Sequence, residues 1–273
     1  MFVRIRFAKF GAMKYIGHLD VMRYFQKALR RSKLDVKYTE GYHPHQIMSF
    51  AMPLGVGVTS DGEYMDIEMD SVPSKDELID RLGATMTSGF AILDAAFLGE
   101  RIEGVHHENS MALVTMADYY VSVREGKETP WNGREDFEKK FEAFLAQPEI
   151  TVNKKTKKSE KEMDIRPYIY KSGFEYETFV GCDKDGQDPE GGRQRMCETA
   201  HAEPDPYGAY LRLCTGSVMN IKPGLVMEAF AKSLGAEYDP FVFHVHRMNM
   251  YAGEKEQPVS LLDVRDEDRV ITG

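Results

Sequence analysis

The stretch GYHPHQ, residues 41–46, holds two histidines around a proline, and a third histidine, His18, stands two residues before Asp20. An imidazole titrates near neutral pH, so these residues can move protons, ligate a metal or donate to a phosphate. His43 and His45 are at i and i+2, which in an extended chain sends their side chains to opposite faces. A shared metal would therefore need a turn at Pro44 and a third ligand, for which Asp66 and Glu68 have the right type only. No metal site is expected, and the pair fits turn-stabilising hydrogen bonds or contact with a nucleic acid or a protein. Asp20 suits a helix N-cap or first turn, where its charge meets the positive helix end. His18 can cap the same helix, touch a phosphate or act as a general acid. His18, His43 and His45 are the candidates for acid-base catalysis.

A second kind of chemistry is carried by cations. HLDVMRYFQKALRRSKL places Arg23, Lys27, Arg30 and Arg31 mostly on one side of a helical pattern. VNKKTKKSEKEMDIRPYI gathers Lys154, Lys155, Lys157 and Lys158 at a hairpin tip suited to phosphate oxygens, with Arg166 beside Pro167 and Tyr168 placed to stack on a base or pair with a phosphate. These nine residues, with His43 and His45, are the expected nucleic-acid contacts; solvated charge without a partner is the plain alternative. Residues 1–50 hold ten Lys or Arg against three acids, a local +7 within a chain of net charge −9, so the other 223 residues carry −16. An acidic body discourages indiscriminate polyanion binding, whereas a confined basic face still selects a phosphate backbone held in one orientation. LCTGSVMNIKPGLV has the strand, turn and helix start that can receive an anion, yet the chain has neither a GxxxxGK[ST] nor a GxGxxG motif, which excludes a nucleotide-hydrolysing site of those kinds. Cys182, Cys197 and Cys214 are spaced 15 and 17 apart, which matches neither a zinc knuckle nor an iron-sulfur loop, and no cofactor is expected.

The elements that must position these groups follow from periodicity. FVRIRFAKF alternates with period two, as a strand does; His18–Lys33 changes to helical spacing through Leu19, Met22, Phe25, Ala28 and Leu29. Residues 35–70 then form two strands joined through Pro53, Gly55, Gly57 and an SDG turn, with Asp66, Glu68 and Asp70 alternating against Met65, Ile67 and Met69 in the manner of a solvent-facing edge. Ser74 and Glu77 make a capping box before a second helix, and FAILDAAFLGE closes the unit as a strand. From MALVTMADYYVSVR the order repeats: a helix with Phe137, Phe141, Phe144 and Leu145 on one stripe, a charged hairpin, the strand AYLRLCTGS, a helix with Pro223 in its first turn, and FVFHVHRMNMY. The order β-α-β-β-α-β predicts an α+β protein of two tandem ferredoxin-like (split βαβ) domains, with antiparallel sheets and helices on one face. Their bounds are 1–104 and 105–253, with a loop insertion near 181–208 and a tail, 254–273, that frays. No apolar run approaches the roughly 20 residues of a spanning helix, so a soluble, cytoplasmic protein without membrane contact is expected.

Taken together, HLDVMRYFQKALRRSKL, YTEGYHPHQIMSFAMPLGVGVTSDGEYMDIEM, KKTKKSEKEMDIRPYI and LCTGSVMNIKPGLVMEAF resemble the bacterial radical-SAM-associated proteins of unknown function, a domain fused to or encoded beside a radical SAM protein. The likeness covers most of the chain except 181–208 and the tail. Family proteins often carry a GF(N/H)PHP-like turn where this one has GYHPHQ, so Gln46 departs from the pattern. The resemblance implies a radical SAM protein as partner and leaves the reaction open. These 273 residues lack the cysteine triad that holds a radical SAM cluster, so such chemistry would belong to the partner. The expectation is a non-catalytic accessory module that binds RNA, of the tRNA or rRNA kind, and presents it to that partner. Two alternatives stand beside it: an interaction subunit without RNA, and a metal-independent RNA endonuclease resembling the Cas6 type, with His18, His43 or His45 as acid or base.

Overall fold

The computed structural model describes residues 1–100, 106–107, 109–155, 160–180, 207–217, 219–264 and 270–271. The first half runs β1 (Phe2–Lys9), α1 (His18–Ser32), β2 (Met48–Phe50), β3 (Thr59–Glu68), α2 (Lys75–Gly83) and β4 (Phe90–Gly99). Alternation in β1 turns Val3, Ile5 and Phe7 toward Phe25 and Leu29 of α1 and Leu78 and Leu82 of α2, which close one apolar cluster. The helical stripe predicted for α1 is buried at Phe25, Ala28 and Leu29, with Val21 also buried, whereas Leu19 in the first turn stays 66% exposed. α2 begins as its capping box predicts, with the Ser74 hydroxyl accepting from the Glu77 amide at 3.2 Å. Ser74→Ala is expected to destabilise the protein by about 1 kcal/mol, read as a lower urea midpoint with an unchanged denaturant slope.

A two-residue β5 (His106–His107) and the short α3 (Ser110–Leu113) lead to the second half: β6 (Met116–Val123), α4 (Gly133–Leu145), the β7 (Thr151–Lys155) and β8 (Glu160–Asp164) hairpin, β9 (Ile169–Gly173), α5 (Tyr176–Val180), β10 (Gly208–Cys214), α6 (Pro223–Ser233), β11 (Phe243–Glu254), β12 (Gln257–Ser260) and β13 (Val270–Ile271). The phenylalanine stripe of α4 is buried as predicted, and Pro223 opens α6. One expectation fails at the start: the residues before β6 do not extend the strand, because the Asn109 side chain accepts from the Ala112 amide at 3.2 Å and starts a helical turn. Of the expected loop insertion at 181–208, residues 181–206 lie outside the described residues, and Gly208 already belongs to β10.

Hydrogen bonding runs through both halves in a single nine-stranded, mostly antiparallel sheet of order β4-β1-β3-β11-β6-β10-β9, with β2 added to β3 and β12 to β11. Within each half the fourth, first, third and second main strands are neighbours, all antiparallel. The halves join where β3 and β11 pair in parallel, His246 opposite Thr59 and Arg247 opposite Ser60. Close approach there depends on Gly62, where an added Cβ would lie 2.4 Å from Asn249 Cα. The strand residues that pack on α1 and α2, Val3, Ile5 and Phe7 of β1 with Met65 and Ile67 of β3, lie on one face of the first half.

The other face is not open. Residues 257–264, expected to fray, cross it: Leu261 and Val264 are buried, and the Leu261 carbonyl accepts from Arg4 Nη1 at 2.8 Å. The carboxylates of β3 are likewise not a solvent edge. Asp66 and Glu68 are buried, Asp66 in a two-pronged pair with Arg4 at 2.7 and 3.0 Å and Glu68 with Lys37 at 3.2 Å, because β3 is an interior strand with β1 on one side and β2 and β11 on the other. Only Asp70, beyond the strand, is exposed.

Candidate nucleic-acid interface

The basic surface begins with α1. Burying its apolar stripe leaves Arg23, Lys27, Arg30 and Arg31 exposed on the outward side, spread over nine residues or about 12 Å of helix axis. Asp20, in the first turn, is 3.4 Å from Arg23, both largely solvated, a contact of little strength. Arg30 Nε donates to the Gln26 carbonyl at 3.2 Å, and Arg31 Nη2 to the Thr85 carbonyl at 3.1 Å, which fixes the stems and leaves the charge outward. Lys27 makes no hydrogen bond or ion pair among the described residues.

The histidine turn is built by its own backbone. Tyr38 and Gln46 bridge across it, the Thr39 amide donates to the His45 carbonyl at 2.8 Å, and the Thr39 hydroxyl accepts from the His45 amide and lies 3.1 Å from His45 Nδ1. His45 thus secures the turn, Gln46 is buried at its base, and His43 is exposed near the tip. Tyr42, which sequence reasoning passed over, is fully exposed there. An aromatic ring held out by a rigid turn is a surface on which a base can stack. Asp66, offered above as a third metal ligand, is committed to Arg4 and to the Ser110 amide at 2.7 Å. Among the described residues no group of three or more His, Cys, Asp or Glu side chains is gathered as a metal would require.

The remaining cations belong to the second half. Lys154 and Lys155 lie on β7, in register with Lys161 and Glu160 of β8, and this hairpin packs beside α6; Lys157 and Lys158 lie outside the described residues. Arg166 holds the chain together locally, with Nε donating to the Leu145 carbonyl at the end of α4 at 2.8 Å and Nη1 to the Ile169 carbonyl at 3.3 Å.

His18 is neither on this surface nor the cap of α1, since the N-cap is Gly17. It is the first helical residue, half-buried, its ring edge-on to Phe50 with centroids 5.6 Å apart. With Lys9 and Glu63 it lines a cavity of about 20 Å³, room for one water molecule. Burial holds its pKa below the usual histidine value, against the pull of Glu63 and aided by Lys9. Lys9 is also pushed down by burial, and its ammonium donates to the Ile16 carbonyl at 3.0 Å. Behind them Arg247 Nε and Nη2 grip the Glu63 carboxylate at 2.6–2.8 Å, and Nη2 donates to the Met52 carbonyl at 2.8 Å. Burial alone would lower the Arg247 pKa, but Glu63 and Tyr119 outweigh it and keep the guanidinium charged. Sequence reasoning missed this group, whose partners stand 184 residues apart.

No described helix is long and apolar enough to cross a membrane. A comparison with protein-family models matches residues 3–188 to a family described as "Uncharacterized protein conserved in bacteria (DUF2344)". A search of curated proteins found no match.

Proposed function

Since the chain belongs to the bacterial family DUF2344, its partners are to be sought among bacterial RNAs and proteins, and we propose that it is a non-catalytic accessory module that binds RNA, of the tRNA or rRNA kind, and presents it to a radical SAM protein. Its two halves act as ferredoxin-like units sharing one sheet. The observation that carries the reading is α1: four exposed cations within about 12 Å, facing one carboxylate, whereas three arginines on strands, Arg4, Arg212 and Arg247, are buried in ion pairs and a fourth, Arg6, is half-buried on backbone carbonyls. Tyr42 and His43, exposed on the turn that follows α1 in the chain, supply the stacking and hydrogen-bonding groups that phosphate contacts lack. The radical SAM partner rests on the sequence resemblance.

Fluorescence anisotropy with a bacterial tRNA across a salt series tests the reading. About six phosphate contacts give a log-log slope of roughly −4 to −5. Replacing Arg23, Lys27, Arg30 and Arg31 together by Gln is expected to flatten that slope by about 3 and to weaken binding at every salt concentration. Absence of wild-type binding at low salt would end the proposal.

An interaction subunit that touches no RNA is the second reading, favoured by Tyr15, Leu19 and Val56, each about two-thirds exposed at the start of α1 and the loop before β3. Co-purification with a protein partner that survives nuclease, with no nucleic-acid absorbance, distinguishes it. RNA cleavage is separated by incubation with total RNA, where discrete products abolished by His18→Ala, His43→Ala or His45→Ala would favour an endonuclease.

A further inference from the structure

The second half has a cavity that the RNA reading does not use. The connection from β6 to α4 and the connection from α6 to β11 meet at the end of the sheet where β6 finishes and β11 begins. Between them lies a space of about 250 Å³, large enough for a compact organic group. Its inner wall is aromatic: Trp131 and Phe243 are buried with ring centroids 6.2 Å apart, and Tyr238 stacks on Phe243 at 6.2 Å. The polar edge of the indole is already satisfied, since Trp131 Nε1 donates to the Tyr207 hydroxyl at 2.8 Å. Trp131 also stacks on Phe230 at 5.4 Å, so the least enclosed of the three rings, the half-buried Tyr238, offers a ligand most of the π-surface.

The rim is acidic. Glu128 and Glu237 are exposed and make no hydrogen bond or ion pair among the described residues, and Asp239 has one oxygen bonded to the Phe241 amide at 2.8 Å. Lys127, also on the rim, offsets one of these three charges. An anion would meet net repulsion here, and a neutral apolar group would leave the carboxylates idle. A compact cation with a greasy surface satisfies both walls, because ring faces attract positive charge and a poorly hydrated alkylammonium is cheap to desolvate.

We propose that this cavity binds an alkylammonium group, with Trp131, Tyr238 and Phe243 as its aromatic wall and Glu128 and Glu237 as its counter-charges. The group can belong to a free small molecule or to a methylated lysine side chain, and the two sources are told apart by probe. The proposal does not depend on the RNA reading.

Trp131 is the chain's only tryptophan, so emission excited to the red of tyrosine absorption reports on this cavity. Titration of the full chain with tetramethylammonium chloride is expected to change the emission saturably, with a dissociation constant on the order of 1 mM, while sodium chloride at equal ionic strength does not. Nα-acetyl-trimethyllysine amide binding at least tenfold more tightly than tetramethylammonium identifies a side chain as the source; equal or weaker binding identifies a free molecule. Glu128→Gln with Glu237→Gln, both at solvated positions, is expected to weaken binding about tenfold without altering the unfolding midpoint. Tyr238→Leu keeps the cavity filled and removes the electron-rich ring, with a similar loss. A linear, non-saturating response, an equal response to neutral neopentyl alcohol, or unchanged affinity in the double variant would overturn the proposal.

Discussion

Replacing Arg247 by Ala is expected to lower the unfolding free energy by about 3–5 kcal/mol, the penalty for removing one partner of a buried ion pair. Arg247 and Glu63 are both buried, their contact is two-pronged, and the Met52 carbonyl takes a further bond from the same guanidinium. Without the arginine, a buried carboxylate and a carbonyl lose their guanidinium partner at the junction of the two halves, where the parallel pairing of β3 and β11 rests on a short register. The double change Glu63→Leu with Arg247→Met removes both charges at similar volume and is expected to recover most of the loss, since a buried pair gains little over a well-packed apolar one. Urea unfolding of the three proteins measures it. A single variant within 1 kcal/mol of wild type would mean that water reaches the pair.

The second large effect is expected at Phe230. Its ring, fully buried on α6, lies 4.9–5.9 Å from the rings of Trp131, Phe137, Phe141 and Phe144, so it joins α6 to α4 and to the connection before it. Phe230→Ala opens a cavity among rings that cannot close over it and is expected to cost about 3–5 kcal/mol. Phe230→Leu, closer in volume, is expected to cost about 1–1.5 kcal/mol. Thermal unfolding followed through Trp131 reads both, and similar costs for the two variants would show that the rings relax into the space.

Which parts of this were legible in the sequence follows from the range of the interactions. The α2 cap, the α4 stripe and Pro223 at the start of α6 are set by residues within one or two turns, and each lies where spacing places it. Asp66 and Glu68 misled because alternation is the same for a wet edge and for an interior strand whose charges are paired; the partners that decide between them, Arg4 and Lys37, are 62 and 31 residues away. Leu19 fits the helical period but falls in the first turn, where no described element covers it. The outward cations of α1 were readable as the complement of its buried face. The Lys9, His18 and Glu63 group was not, because β1, the start of α1 and β3 are brought together only by the fold, and Arg247 joins it only once β3 meets β11.

That meeting bears on how the protein is made. β3 leaves the ribosome long before β11, so during synthesis Thr59–Gly62 offers an edge with unanswered amides and carbonyls until the second half has been translated. A nascent chain stalled or truncated between them is a template for pairing with a neighbour, which makes codon pace and chaperone access over residues 100–240 a determinant of yield.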